Sequence, residues 1–262
     1  MAASMENKVF CFTVDDNIRF LKELTQNGPR GLFDHPYPAV YRRLHERYGV
    51  KVQLNLFYRC EGFDLSRMTD RYRAEWEANA DWLRLSFHSD AETERPYENA
   101  GYDEVFTDVE NVHREILRFA GERSLARTTT VHYCLATPDG LRAVAENGVE
   151  GLLGLFGTPD APRVSYGLDA DAAGRIRAGG IVRRGGMAYA GIDVVCNLFS
   201  KEELAERVRG LLSRPSVRLM IHEQYFYPDY RRYQPDFGEK LDMTFRTLTE
   251  NGYRSVFFEE LI

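Results

Sequence analysis

The chain has 262 residues, 44% hydrophobic and 28% charged, a size that suits one large α/β barrel or two small domains. A formal net charge of −6 excludes the basic footprint of a nucleic-acid binder, and no stretch approaches the roughly 18 apolar residues of a membrane helix. The start, MAASMENKVF, lacks a basic stretch followed by an apolar one, and Cys11, Cys60, Cys134 and Cys196 form no CxxC pair, so no secretory signal is expected and the cysteines read as free thiols of a cytoplasmic protein.

Apolar runs alternate with amphipathic patterns along the chain. Strands are expected at 8–14, 50–57, 83–88, 128–132, 151–156, 192–196, 217–222 and 254–258. Helices are expected at about 17–26, 38–48, 69–79, 103–120, 138–147, 201–212 and 238–251. Ser200 with Glu203 makes a capping box, and Thr137 before Pro138 is an N-cap followed by proline at the first helical position. This alternation implies a mainly parallel sheet covered by helices, and seven or eight units favour a closed or nearly closed barrel. The Gly-rich stretch 163–190 breaks the rhythm and is expected to be a hairpin excursion within a single domain spanning 1–262.

The reactive residue types collect at strand ends. Asp15 and Asp16 follow the first strand in TVDDN; His88, His132 and His222 end the third, fourth and seventh; Asp193 starts the sixth. Adjacent aspartates make good turn chemistry, and a lone histidine at a strand end is ordinarily a hydrogen-bonded structural residue. Three such histidines of six, together with the aspartate pair, point instead to a site, because parallel barrels open all strand C-termini on one face. His35, His45 and His113 fall outside these positions and read as surface or packing residues. Asp, His and a third N/O donor suit a divalent metal such as Zn2+. A second carboxylate can then take a proton from water, and a histidine can protonate a leaving group.

These residues resemble the polysaccharide deacetylase, or NodB-homology, family of carbohydrate esterases. TVDD is similar to its first motif, T-F-D-D; FHSDAE to its second, H-S/T-x-x-H; LMIH to its last, an apolar strand ending in His. The matching positions run from Thr13 to His222, and the closing RTLTENGYRSVFFEEL is similar to the family's C-terminal end. The resemblance implies an α/β fold, a distorted (β/α)7 barrel of the glycoside hydrolase/deacetylase type, with a metal at its mouth. Carried over, it implies Asp15 as general base, His222 as general acid, and Asp16 and His88 as metal ligands, with Ser89 supporting the loop. The family's second metal-binding histidine falls on Glu92, which implies a third ligand of Asp16, His88 and Glu92, with Asp90 a substitute donor. Asn17 stands where a glycine usually follows the aspartate pair. The family's third motif, which offers an arginine to orient the base, gives way to VHYCLATPDG, so His132 takes that role or joins the metal. Its Asp-and-Trp fourth motif reduces to GIDVVCNL, leaving Asp193.

After His222 the stretch HEQYFYPDYRRYQPDF carries Tyr225, Phe226, Tyr227, Tyr230 and Tyr233, which either stack on a ligand or pack as a lid or subunit interface. Glu223 stands ready to orient His222 or to supply another ligand. The expected activity is metal-dependent hydrolysis of a C–N amide bond, deacetylation of an N-acetylated sugar or small amide. The alternatives are a non-catalytic carbohydrate-binding relative and a hydrolase of a cyclic amide. The expected partner is a small-molecule or carbohydrate substrate, with a homo-oligomer open.

Overall fold

The computed structural model describes residues 8–158 and 160–262. Every residue of its first strand, β1 (Val9–Asn17), is buried. A strand buried throughout must be covered on both faces, as in a barrel wrapped by helices. Alternation divides β1 between those faces. Phe10, Phe12 and Val14 join the large core under the helices, where the Phe10 and Phe12 rings lie 5.5 and 4.9 Å from Phe245. Val9 and Cys11 turn the other way, toward Leu153, Ala188, Ala190 and Met220.

The wall continues from β1 to β2 (Val52–Phe57) and β3 (Leu83–Ser89) on one side and to β8 (Ser216–His222) on the other, all parallel. Across the barrel, β4 (Thr128–Thr129), β5 (Gly151–Gly154) and β6 (Met187–Gly191) form a second parallel group. Two seams join the walls. Leu85 bridges Leu125, and Ala126 N–H donates to Leu85 O at 2.8 Å. On the far side the chain leaves β6, where Ile192 N–H still bonds Gly154 O, and passes into β7 (Val194–Val195) beside β8, where Asp193 N–H bonds Arg218 O. With β6 and β7 counted as one continuous crossing strand, the ring has seven parallel members. A two-residue strand, β9 (Arg254–Ser255), pairs the start of β1.

Helices α1 (Arg19–Asn27), α2 (Pro36–Tyr48), α3 (Arg73–Asn79), α4 (Tyr102–Phe119), α5 (Pro138–Glu146), α6 (Ala170–Arg177), α7 (Lys201–Gly210) and α8 (Phe237–Glu250) accompany the strands. The Ser200–Glu203 box is made in both directions, at 3.2 and 2.9 Å, and Thr137 Oγ1 accepts from Gly140 N–H at 3.0 Å. The four cysteines are free thiols, and no helix among the described residues is long and apolar enough to cross a membrane.

The second wall departs from expectation. The stretch 163–190 does contain a hairpin, Val182–Arg184 against Met187–Gly191, but it also contains α6, and the hairpin's second strand is β6 of the barrel. The expected strand 192–196 is therefore the tail of a strand that begins at Met187. The expected strand 128–132 stops at Thr129; from Val131 the chain turns, with Tyr133 at φ 60° and Cys134 at φ 57°. These short strands are read poorly from periodicity because two to five residues barely establish a period.

Candidate metal centre and active site

Alternation decides which side chains reach the barrel interior. On β2 the outward Val52, Leu54 and Leu56 leave Gln53 and Asn55 facing in; on β3 the outward Leu83, Leu85 and Phe87 leave Ser86 and His88; on β8 the outward Val217, Leu219 and Ile221 leave Met220 and His222. On β1 the same rule turns Thr13 and Asp15 inward and would send Asp16 out. A register shift between Val14 and Asn17, with Asp16 at φ 64°, cancels that rule. The left-handed residue acts as a bulge and brings two consecutive carboxylates to one mouth.

There Asp16 Oδ1 lies 3.0 Å from His88 Nε2 and 3.5 Å from His132 Nδ1, and the two ring nitrogens are 3.0 Å apart. His88 Nδ1 is 2.5 Å from Thr130 O; a carbonyl only accepts, so Nδ1 carries the proton and Nε2 of the neutral ring presents a lone pair to the cluster. Asp16 Oδ2 accepts from Gln224 Nε2 at 2.7 Å, whereas Oδ1 is buried with no hydrogen bond to satisfy it. Three donor atoms thus converge with nothing positive between them. Tetrahedral zinc with bonds of about 2.0–2.2 Å sets its ligands roughly 3.3–3.6 Å apart, close to what these atoms show. Asp16, His88 and His132 are the group among the described residues able to hold a metal ion. The residues fit the ion.

The charges agree. Burial works against ionisation of Asp16, but the imidazoles of His222, His88 and His132 hold its carboxyl far below the usual range. Burial also opposes charge on His88, which Asp15 and Asp16 more than offset, so the ring is raised. The carboxylates that favour a proton there favour any cation. His132 is pushed down to about 3 by burial and by His88, which keeps it a neutral donor.

Asp15 is separate from this cluster. Its Oδ1 accepts from Asn55 Nδ2 at 2.7 Å, and Asn55 Oδ1 accepts from Gln53 Nε2 at 2.8 Å. Gln53 is itself fixed, by Thr128 O and Thr128 Oγ1, at 2.9 and 2.8 Å. The chain of amides settles every orientation, so Asn55 must present its N–H₂ to Asp15. Burial raises the Asp15 carboxyl, against His88, His222 and the Asn55 bond. His222 is held by one acceptor: Asn197 Oδ1 takes both the His222 backbone N–H at 3.1 Å and Nδ1–H at 2.9 Å. Asp15, Asp16, His88, His132, His222 and Tyr225 all border one cavity of about 480 Å³.

Several expected site residues stand elsewhere or differently. Glu92 borders the same cavity, exposed, with its carboxyl raised by desolvation and by Asp16 and Glu61, but it is outside the three-atom cluster; His132 stands there instead. The reason is the turn at Tyr133–Cys134, which folds His132 back over the mouth. Asp193 lies at the other end of β8, where it binds Arg214 Nη1 at 2.6 Å and Arg218 N–H at 2.8 Å. The strand meets the mouth only four residues later, at Asn197. Glu223 orients neither His222 nor a metal: its carboxylate accepts the N–H groups of Ile18, Arg19 and Phe20 at 2.7–2.9 Å and so caps α1. Burial pushes it up to about 7 despite those donors. Tyr227 packs on Tyr37 and under the Arg19 guanidinium, away from the cavity. His35 bonds Glu23 and His45 stacks on Trp82, as packing residues do. The residues missed, Gln53, Asn55, Asn197 and Gln224, are all amides. The first two carried a signal, since VQLNLF alternates polar with apolar; the other two lie in turns and carried none.

No family model matches the chain, and no curated protein matches it either. Solved structures do. A family 4 acetyl xylan esterase from Clostridium thermocellum, in complex with a cobalt ion, is 16% identical, with 97% of this chain covering 90% of that one at a TM-score of 0.50. A peptidoglycan N-acetylglucosamine deacetylase is 13% identical, over 98% of this chain and 89% of that one, at 0.57. The chain has the deacetylase fold, a distorted (β/α)7 barrel. A 4-alpha-glucanotransferase from Thermococcus litoralis shares it too, at 13% identity and a TM-score of 0.58, over 97% of this chain and 40% of that one. One fold therefore carries different chemistries here, and activity has to be argued from the site.

Proposed function

We propose that the chain is a metal-dependent hydrolase of a C–N amide bond, acting on an N-acylated sugar or other small amide. The observation that carries this is the unsatisfied Asp16 Oδ1 beside two imidazole nitrogens, with Asp15 and His222 on the same cavity. Asp16, His88 and His132 hold the ion, zinc being the choice that suits one carboxylate and two imidazoles. When bound, the ion polarises the amide carbonyl and acidifies water beside it. Asp15, fixed by Asn55, accepts a proton from the attacking water. A new C–O bond forms, and the C–N bond breaks as His222, oriented by Asn197, delivers a proton to the departing nitrogen. The products are a carboxylate and an amine. Four free thiols support a reducing, cytoplasmic setting.

The test uses zinc-loaded protein against acetamido sugars and simple and cyclic amides. Asp15→Asn is expected to keep zinc and lose roughly 10²–10⁴ in turnover, while Asp16→Ala loses both. Turnover that survives both substitutions contradicts the assignment.

A further inference from the structure

Resting on that reading, we infer that Tyr166 is a positioning residue for the third metal ligand, its hydroxyl fixing the turn that carries His132 into the cluster. A ligand histidine is ordinarily oriented by a hydrogen bond on the ring nitrogen that faces away from the metal. His88 has one, from Nδ1–H to Thr130 O. His132 has none among the described residues: its polar contacts, His88 Nε2 at 3.0 Å and Asp16 Oδ1 at 3.5 Å, are the other two donors of the cluster. The rings of Phe57 and Tyr133 flank it at 5.0 and 4.6 Å, but such contacts fix neither nitrogen. The orientation of His132 therefore has to come from its backbone.

That backbone is a turn closed by one bond of its own, Cys134 N–H to Val131 O at 2.7 Å, and it passes through two left-handed residues, Tyr133 and Cys134. A non-glycine pair keeps that conformation only where its surroundings impose it. Tyr166 imposes it from both ends. Its backbone N–H donates to Cys134 O at 3.0 Å, and its hydroxyl accepts from Val131 N–H at 3.2 Å. The same hydroxyl donates to Leu153 O at 2.6 Å, which settles its direction, because a carbonyl only accepts. One phenol thus ties the His132 turn to β5, a strand that supplies no donor to the cluster. Arg163 Nη2 adds a bond to Tyr133 O at 3.2 Å. Gly154, the last residue of β5, makes room: a Cβ there would lie 2.9 Å from Tyr166 Cε2, closer than such atoms approach. Tyr166 is 3% exposed and does not border the cavity, so it reaches the metal only through the turn. Without its hydroxyl, the fully buried Val131 loses the acceptor for its N–H, and the turn moves to find another, taking His132 with it.

Tyr166→Phe deletes the hydroxyl and keeps the ring. Competition for zinc between the full chain and a chelating dye is expected to show the variant binding roughly tenfold more weakly, the loss typical of removing a ligand's support. In a His132→Ala background the same substitution is expected to change zinc affinity less than twofold, because the turn then presents no ligand. A tyrosine that merely supports the fold would act equally in both backgrounds, or in neither. Circular dichroism verifies the fold of each variant. Arg163→Met, an exposed substitution that removes the bond to Tyr133 O, gives a second reading should Tyr166→Phe not fold. It is expected to weaken zinc roughly threefold, again only while His132 is present. Unchanged zinc affinity, or equal weakening with and without His132, overturns the positioning role and leaves the metal reading standing. A native chain that binds no zinc overturns both.

Discussion

The two walls of the barrel place their functional side chains by different means. On the long wall, β8–β1–β2–β3, placement is by register: Asp15, Asn55, His88 and His222 face inward because apolar neighbours on both sides face out. On the short wall, β4 to β7, strands of two to five residues end early and the functional groups sit in turns, His132 after Val131 and Asn197 after Cys196. Within the strands of the long wall only Asp16 takes a left-handed backbone, where alternation has to be broken. The short wall relies on it, at Tyr133 and Cys134 in succession. The regular sheet supplies the proposed base and acid, while the third candidate donor beside Asp16 and His88 comes from a loop that folds back over the mouth.

The sharpest way to break that comparison is to ask which wall completes the metal cluster. His132→Ala is expected to weaken zinc by roughly 100-fold or more, the cost of losing a ligand rather than its support, while Glu92→Gln changes it less than threefold. Competition against a chelating dye measures both, and the reverse order would return the third ligand to the loop after β3. Next in size is Asn55→Leu, which removes the donor on Asp15 but touches no metal donor. It is expected to lower turnover roughly 10–100-fold with zinc affinity unchanged, since a misoriented base still allows the ion to bind. Matched losses in zinc binding and turnover would mean that Asn55 merely supports the fold. Smallest is Asp193→Ala at the closed end of the second seam. It leaves the Arg218 N–H and Arg214 unpaired, which costs about 1–3 kcal/mol in stability. The urea midpoint should fall with zinc binding intact; a loss of zinc binding would bring Asp193 back into the site.

The same division explains what could be read from the chain. TVDD, FHS and LMIH lie on long-wall strands whose period-two pattern fixes both the strand and its inner face, and these residues do meet at one cavity. Even there, alternation alone would have sent Asp16 outward; nothing in the letters Asp-Asp-Asn specifies the left-handed turn. On the short wall periodicity failed. Asp193 reads as near the start of a strand and at the site; the strand begins earlier, at Met187, inside a Gly-rich stretch that reads as an excursion, and Asp193 lies four residues short of the mouth, paired with Arg218 and Arg214. Glu92 matched a motif spacing, but spacing cannot show that a turn 40 residues on folds a histidine into the place expected for it. Glu223 sat beside His222 in sequence, yet the N-terminus of α1 offered it three N–H groups, which occupy both of its carboxylate oxygens.

The central claim is that Asp16, His88 and His132 are built to hold a metal ion. Calorimetric titration of zinc into the chelator-treated chain and into Asp16→Ala tests it most directly. One equivalent bound by the native chain, and none by Asp16→Ala with its fold intact, is the predicted result. No binding by the native chain, or equal binding by the variant, would contradict it.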